Sequence, residues 1–179
     1  DAGAAYIFTR DGDTWSQSQK LVSSDREAFD SFGNSVAISG DTAIIGAYRE
    51  DEGGTDAGAA YIFTRDDDSG VWSQTKKLTS SDRQLGDYFG WSVAISGNTA
   101  IVGAYWEDHD VDGDNEKSKA GAAYIFTRDG DTWSQTQKLV ASDRASDDRF
   151  GYSVAISGDT AIVGANKEDR DGYNILDNA

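Results

Sequence analysis

One segment occurs three times in this chain, and that repetition limits the fold more than any other property. Gly-Ala-Ala-Tyr-Ile-Phe-Thr-Arg starts at Gly3, Gly58 and Gly121, and Trp-Ser-Gln starts at Trp15, Trp72 and Trp133. Phe-Gly follows at Phe32, Phe89 and Phe150, then Gly-Ala at Gly46, Gly103 and Gly164. The tryptophans and the Phe-Gly pairs each recur after 57 and then 61 residues. A period this long, filled with short strand-like runs, describes one supersecondary unit stacked on copies of itself. The three copies occupy residues 1–55, 56–118 and 119–179 of a single repeat domain.

Each copy reads as four short strands. In the first, residues 4–10 are rich in aromatic and β-branched side chains, and a turn at Asp11-Gly12-Asp13 follows. Residues 15–22 alternate, which predicts Trp15, Gln17, Gln19 and Leu21 on one face. After a polar stretch come residues 35–39 and 42–48, joined by Gly40-Asp41, a tight hairpin signal that returns at Gly97-Asn98 and Gly158-Asp159. These last two runs carry small or apolar residues on both faces, as strands covered by neighbouring sheets do. No segment has a helical period, and there is no proline. Four antiparallel strands per copy, with both faces covered by the next copy, describe a blade of an all-β propeller. A stacked β-solenoid is the competing architecture.

Phe-Gly and Gly-Ala with small-residue strands between them resemble the FG-GAP repeat, the blade of the integrin α-subunit propeller and of many bacterial surface proteins. The resemblance covers essentially the whole chain. It implies that the Phe-Gly strand lies near the propeller axis, the Gly-Ala strand pairs with it, and the other two strands lie outside. Two features depart from the family. Its proline is replaced by Tyr48, Tyr105 and Asn166, and its calcium loop between the inner strands is reduced here to the Gly-Asp turn.

Three blade-equivalents are too few to close a ring. The chain reads as a whole number of repeats cut within a blade, two outer strands first and two inner strands last. The expectation is a homodimer in which the inner pair of one chain completes the outer pair of another, giving a six-bladed ring. A segment of a longer repeat array is the other reading, and the absence of methionine suits a processed product or such a segment.

With 16 basic and 32 acidic residues the net charge is −16. Such a field repels nucleic acid and anionic lipid, and it favours hard cations, Ca²⁺ above all. There is no cysteine, so disulfides and thiolate chemistry are excluded. No apolar run reaches the about 20 residues that a membrane helix needs, so no membrane insertion is expected.

Two loop types carry the remaining chemistry. The connection after Gly-Ala is acidic in every copy, and in the second Asp108, Asp110 and Asp112, followed by Gly113 and Asp114, match the first half of a calcium loop. Lys119 stands at its twelfth position, where an EF-hand has glutamate. Asp169, Asp171 and Asp177 are the candidate ligands of the third loop. The segment before Phe-Gly repeats Ser-Asp-Arg at Ser24, Ser81 and Ser142, a pattern that suits backbone capping and ion pairing between blades. Aromatics that change between copies are the candidate contact residues: Trp91 and Tyr152 after Phe-Gly, Tyr105 after Gly-Ala, and Trp106 beside it. No catalytic residue is assigned, since no nucleophile elbow or phosphate loop occurs and the one histidine, His109, lies in the acidic loop. The expected function is therefore a non-catalytic binding or adhesion module, extracellular or at the cell surface, that recognises a protein or glycan through its loop face. A lectin, a purely structural repeat and a hydrolase are the alternatives.

Overall fold

The computed structural model describes residues 1–110 and 116–169. They contain twelve strands and no helix, so none is long and apolar enough to cross a membrane. The first copy holds β1 (Ala5–Asp11), β2 (Thr14–Leu21), β3 (Val36–Ser39) and β4 (Thr42–Ala47). The second holds β5 (Ala59–Arg65), β6 (Trp72–Leu78), β7 (Ser92–Ser96) and β8 (Thr99–Ala104). The third holds β9 (Ala122–Asp129), β10 (Thr132–Leu139), β11 (Phe150–Ser157) and β12 (Thr160–Ala165).

Sheets form across the copies. β3-β4-β5-β6 and β7-β8-β9-β10 are complete four-stranded antiparallel sheets, while β1-β2 and β11-β12 are two-stranded. Two blades thus stand between two half-blades. Contact between sheets concentrates on the inner strands β3, β7 and β11 and thins outward, so the sheets fan out from one line as blades do about an axis.

The packing explains the repeated motifs. Strand β4 is buried along its whole length, and both of its faces meet neighbouring sheets, as its small and branched side chains allow. A Cβ at Gly46 would overlap the carbonyl oxygen of Gly90, and one at Gly103 that of Gly151. Gly-Ala of one blade therefore lies against Phe-Gly of the next with no room for a side chain. Hydrogen bonds from Phe89 N to Ala57 O (3.1 Å) and from Phe150 N to Ala120 O (2.8 Å) tie the same seams. Behind them Phe89 packs on Tyr124 and Phe126, ring centroids 5.5 and 6.0 Å apart.

The alternation read along the Trp-Ser-Gln strand does not hold. Pairing shifts by one residue, so that Phe8 faces Gln17 and Ile7 faces Gln19, leaving Ser18 as a bulge. The same shift recurs in β6 and β10. Hydroxyls of Ser18, Thr75 and Thr136 donate back to the carbonyls of Ile7, Ile62 and Ile125. A bulge reverses the faces beyond it, so Lys20 joins Trp15 and Gln17, and Leu21 turns to the opposite side. Leu21 accordingly packs in the core between β1-β2 and the first full blade.

Candidate functional site

The Gly-Asp and Gly-Asn hairpins lie at one end of the fan. At the other end each inner strand begins, each Gly-Ala strand stops, and both polar connections of every copy emerge. Two side-chain systems are built there.

Nearest the inner strands is an aromatic cluster. Trp91, at the start of β7, has its ring centroid 4.5 Å from Tyr105, 4.8 Å from Tyr48 and 5.6 Å from Tyr152. Tyr105 follows β8 and lies 5.5 Å from Tyr152 and 5.8 Å from Trp106. All four expected contact residues thus come together, although they arise from one blade and a half-blade. The sequence reading omitted Tyr88, which stacks on Tyr105 at 5.8 Å and meets Trp106 at 4.6 Å. Its position, before Phe-Gly, holds Ser31 and Arg149 in the other copies, so the rule that selected Trp91 would also have selected it.

Cations border these rings. Lys119 Nζ lies 4.4 Å from the Trp106 centroid, Arg149 lies 5.8 Å from Tyr105, and Arg49 lies 5.3 Å from Tyr48. Such contacts each contribute about 0.5–1 kcal/mol at exposed sites. Tyr88, Lys119 and Arg149 all have left-handed backbones, with φ of 57°, 54° and 62°. That conformation costs about 1–2 kcal/mol in an L-residue and is sustained here by the surrounding fold. Burial pushes the Tyr88 and Tyr105 phenols above their ordinary values, so both stay neutral at physiological pH. The Trp106 Nε1–H is buried and finds no acceptor among the described residues.

Further out runs a belt of ion pairs, one unit per full blade. Lys77 Nζ meets Asp25 at 2.6 Å and Glu50 at 3.0 Å, and it also bonds Glu52. Arg83, from the loop entering the next blade, bonds Glu50. The second unit repeats the plan, with Lys138 Nζ 2.6 Å from Asp82 and 2.9 Å from Glu107, and Arg144 3.9 Å from Glu107. The bulge is what aims these lysines, because it places each on the face of Tyr61 or Tyr124, 5.7 Å from the ring centre. Burial opposes ionisation of Asp25 and Asp82, but hydrogen bonds from their lysines outweigh it and hold both carboxyls below the ordinary range. For Glu107, only 1% exposed, burial outweighs Lys138 and raises the carboxyl.

The acidic loops divide. Asp108 Oδ1 accepts the Lys119 N–H at 2.6 Å, and its carbonyl accepts from Arg144 at 2.6 Å, so it closes its own loop. Asp51 does likewise in the first copy, accepting the Asp56 N–H at 2.7 Å. Asp110, two residues after Asp108, is half-buried. Asp112, Asp114, Asp171 and Asp177 lie outside the described residues. Among the described residues, two acidic groups have oxygens within 4.8 Å of one another: Asp25, Glu50 and Glu52, and Asp148, Glu168 and Asp169. Lys77 bonds all three members of the first. His109 sits 3.5 Å from Glu107 and 3.5 Å from Gln84, and among the described residues no nucleophile is paired with a base. The Ser-Asp-Arg segments cap and pair: Asp30, Asp87 and Asp148 accept the N–H groups of Glu27, Gln84 and Ala145.

The sequence model of the FG-GAP repeat matches residues 15–63, 72–126 and 133–175. Those boundaries reproduce the internal period and cover most of the chain. No curated protein matches the chain. With its Phe-Gly and Gly-Ala glycines in backbone contact where each full blade meets the next sheet, the chain belongs to the FG-GAP repeat family.

Proposed function

We propose that this chain is a non-catalytic binding or adhesion module that recognises a protein or glycan through its loop face. One observation carries the reading: Trp91, Tyr105, Trp106 and Tyr152 form a single cluster at the mouth of the fan, bordered by Arg49, Lys119 and Arg149 in a chain of net charge −16. Aromatic faces beside charged donors suit stacking on sugar rings as well as peptide side chains. FG-GAP repeats generally occur in extracellular or surface proteins and are generally non-catalytic, which favours an adhesive role outside the cell over hydrolysis.

A glycan array and a panel of extracellular-matrix proteins test the reading, followed by titration of the retained ligand against tryptophan fluorescence. Trp91→Ala lowers affinity at least tenfold while the circular dichroism spectrum is unchanged. Equal affinity in that variant removes the cluster from the site.

Calcium is a second part of the reading, through Asp108, Asp110, Asp112 and Asp114 in one loop and Asp169, Asp171 and Asp177 in the other. The convergence of Asp148, Glu168 and Asp169 favours it at the third loop. Calorimetry with CaCl₂ checks it: heat of binding and a Tm reversed by EDTA are expected, and neither appears if the loops hold no metal.

A further inference from the structure

Identical residues have opposite environments along this chain. Tyr61, Phe63 and Trp72 are 0, 3 and 7% exposed, whereas their first-copy equivalents Tyr6, Phe8 and Trp15 are 50, 52 and 65% exposed. Val93 and Ile95 are 6 and 8% exposed, and the equivalent Val36 and Ile38 are 59 and 58%. At the other end Ile162 is 71% exposed, while Ile44 and Ile101 are fully buried. Tyr6, Phe8, Val36 and Ile38 line a cavity of about 510 Å³ between β1, β3 and β4. What covers these residues elsewhere in the chain is always the same object, a neighbouring sheet: Leu21 and Phe32 lie on Tyr61, Phe63 and Trp72, and β3 lies on β7.

We propose that a second copy of this chain supplies that object. Strand β12 of one copy adds to β1 of the other, two such seams close a six-bladed ring, and Lys20 and Arg26 clamp each seam. Strand count favours two copies. Each carries two full blades and two halves, and propellers run from about four to eight blades, so one copy is too few and three too many.

The register follows from the complete blades. Ile44 faces Ile62 and Ile101 faces Ile125, which sets Ile162 against the second copy's Ile7. Face polarity agrees: β3 turns Ala37 toward the Val93 and Ile95 side of β7 and leaves Val36 and Ile38 outward, while β11 leaves Ser153 and Ala155 outward. Those surfaces are the two halves of the contact already made between β3 and β7. Polar groups agree as well. Ser39 Oγ accepts from Gly97 N at 3.0 Å and Ser96 Oγ from Gly158 N at 3.1 Å; the next member of the series is Ser157 of one copy with Gly40 of the other.

Charge supplies the clamp. Lys77 bonds Asp25 and Glu50, and Lys138 bonds Asp82 and Glu107. The matching third-copy acids are Asp143 and Glu168, at the positions that Asp25 and Glu50 hold in the first copy and Asp82 and Glu107 in the second. Lys20 is already posed 5.8 Å from the Tyr6 ring, as its equivalents are on theirs. Neither Lys20 nor Arg26 makes an ion pair among the described residues.

Native mass spectrometry and light scattering test the proposal. A particle of twice the 19.2 kDa chain mass is expected. A monomer at micromolar concentration overturns it, as it would if the edges await repeats in tandem on one chain, and open multimers overturn the closed ring. Lys20→Glu with Arg26→Glu raises the dimer dissociation constant at least tenfold, and adding Asp143→Lys recovers part of the loss. The chain has no cysteine, so Ile7→Cys and Ile162→Cys chains can be mixed under mild oxidation. A disulfide dimer forms from that pair, and a Thr9→Cys and Ile162→Cys pair stays uncrosslinked. The reverse yield overturns the register even where the subunits remain folded.

Discussion

Gly46 has an ordinary backbone conformation, so its identity is set by the neighbour that a side chain would strike. That neighbour is the Gly90 carbonyl, and its Cα lies just behind. No rotamer can relieve a clash between two backbones, and the strands that would have to part are the inner, most buried ones. Gly46→Ala should therefore cost at the upper end of overpacking penalties, about 3 kcal/mol. Urea denaturation reads this as a lower midpoint at constant m-value. A loss below about 0.5 kcal/mol, the range of ordinary surface substitutions, would contradict the seam as described. Asp87 offers a second test at this scale. Burial, with Glu107, Asp82 and Asp108 nearby, pushes its carboxyl up to about 7 from an ordinary 3.8, against a hydrogen bond from Gln84 N. The folded state thus holds that proton more tightly than the unfolded state. Its contribution to stability is full below the ordinary value and declines as pH rises toward 7. Asp87→Asn keeps an oxygen for the Gln84 amide and removes the titration. Its Tm should exceed that of the parent at pH 8 and not at pH 4, as a calorimetric pH series will report.

At the scale of the strand, the sequence was legible where side-chain type decides and illegible where pairing decides. The four runs, the Gly-Asp hairpins and the double-sided burial of β4 follow from residue type. The bulge does not, because Ser18, Thr75 and Thr136 are ordinary strand residues whose extra position appears only against the partner strand. That shift moved Lys20, Lys77 and Lys138 to the face where the acids converge, so the lysines of the ion-pair belt were not foreseen, whereas the ion pairing of the Ser-Asp-Arg arginines was. In both full blades a lysine from the outer strand meets the loop glutamates, a counter-ion that residue type alone does not reveal. The aromatic cluster was legible for the opposite reason: its members change between otherwise uniform copies, and substitution within a repeat marks positions free of the packing rule. The belt can be probed at the pair Lys138 and Glu107, both of them buried. Lys138→Met leaves Glu107 charged and enclosed, which should destabilise the chain by about 3–5 kcal/mol. Adding Glu107→Gln should return more than half of that, and a double-mutant cycle in urea measures the coupling.

Across the whole molecule, one field acts against the contacts argued for the seams. Two copies that meet edge to edge each bring a net charge of −16, so their approach is opposed at long range. The local pairs at the seam, Lys20 and Arg26 against Asp143 and Glu168, attract over a few ångströms and become partly enclosed on closure. Salt acts unequally on these two effects. Raising ionic strength from about 0.01 to 0.1 M shortens the Debye length from about 30 to 10 Å, which removes most of the body-to-body repulsion and weakens enclosed pairs much less. The repulsion also falls mainly on the encounter, so its relief should appear in the association rate before the dissociation rate. The dimer should consequently tighten as salt is added over this range, through faster association, contrary to the usual behaviour of charge-clamped interfaces. Sedimentation velocity at graded NaCl, with stopped-flow mixing of labelled copies, measures both. Weakening across the same range would mean that the clamp, and not the overall field, governs how the blades are completed.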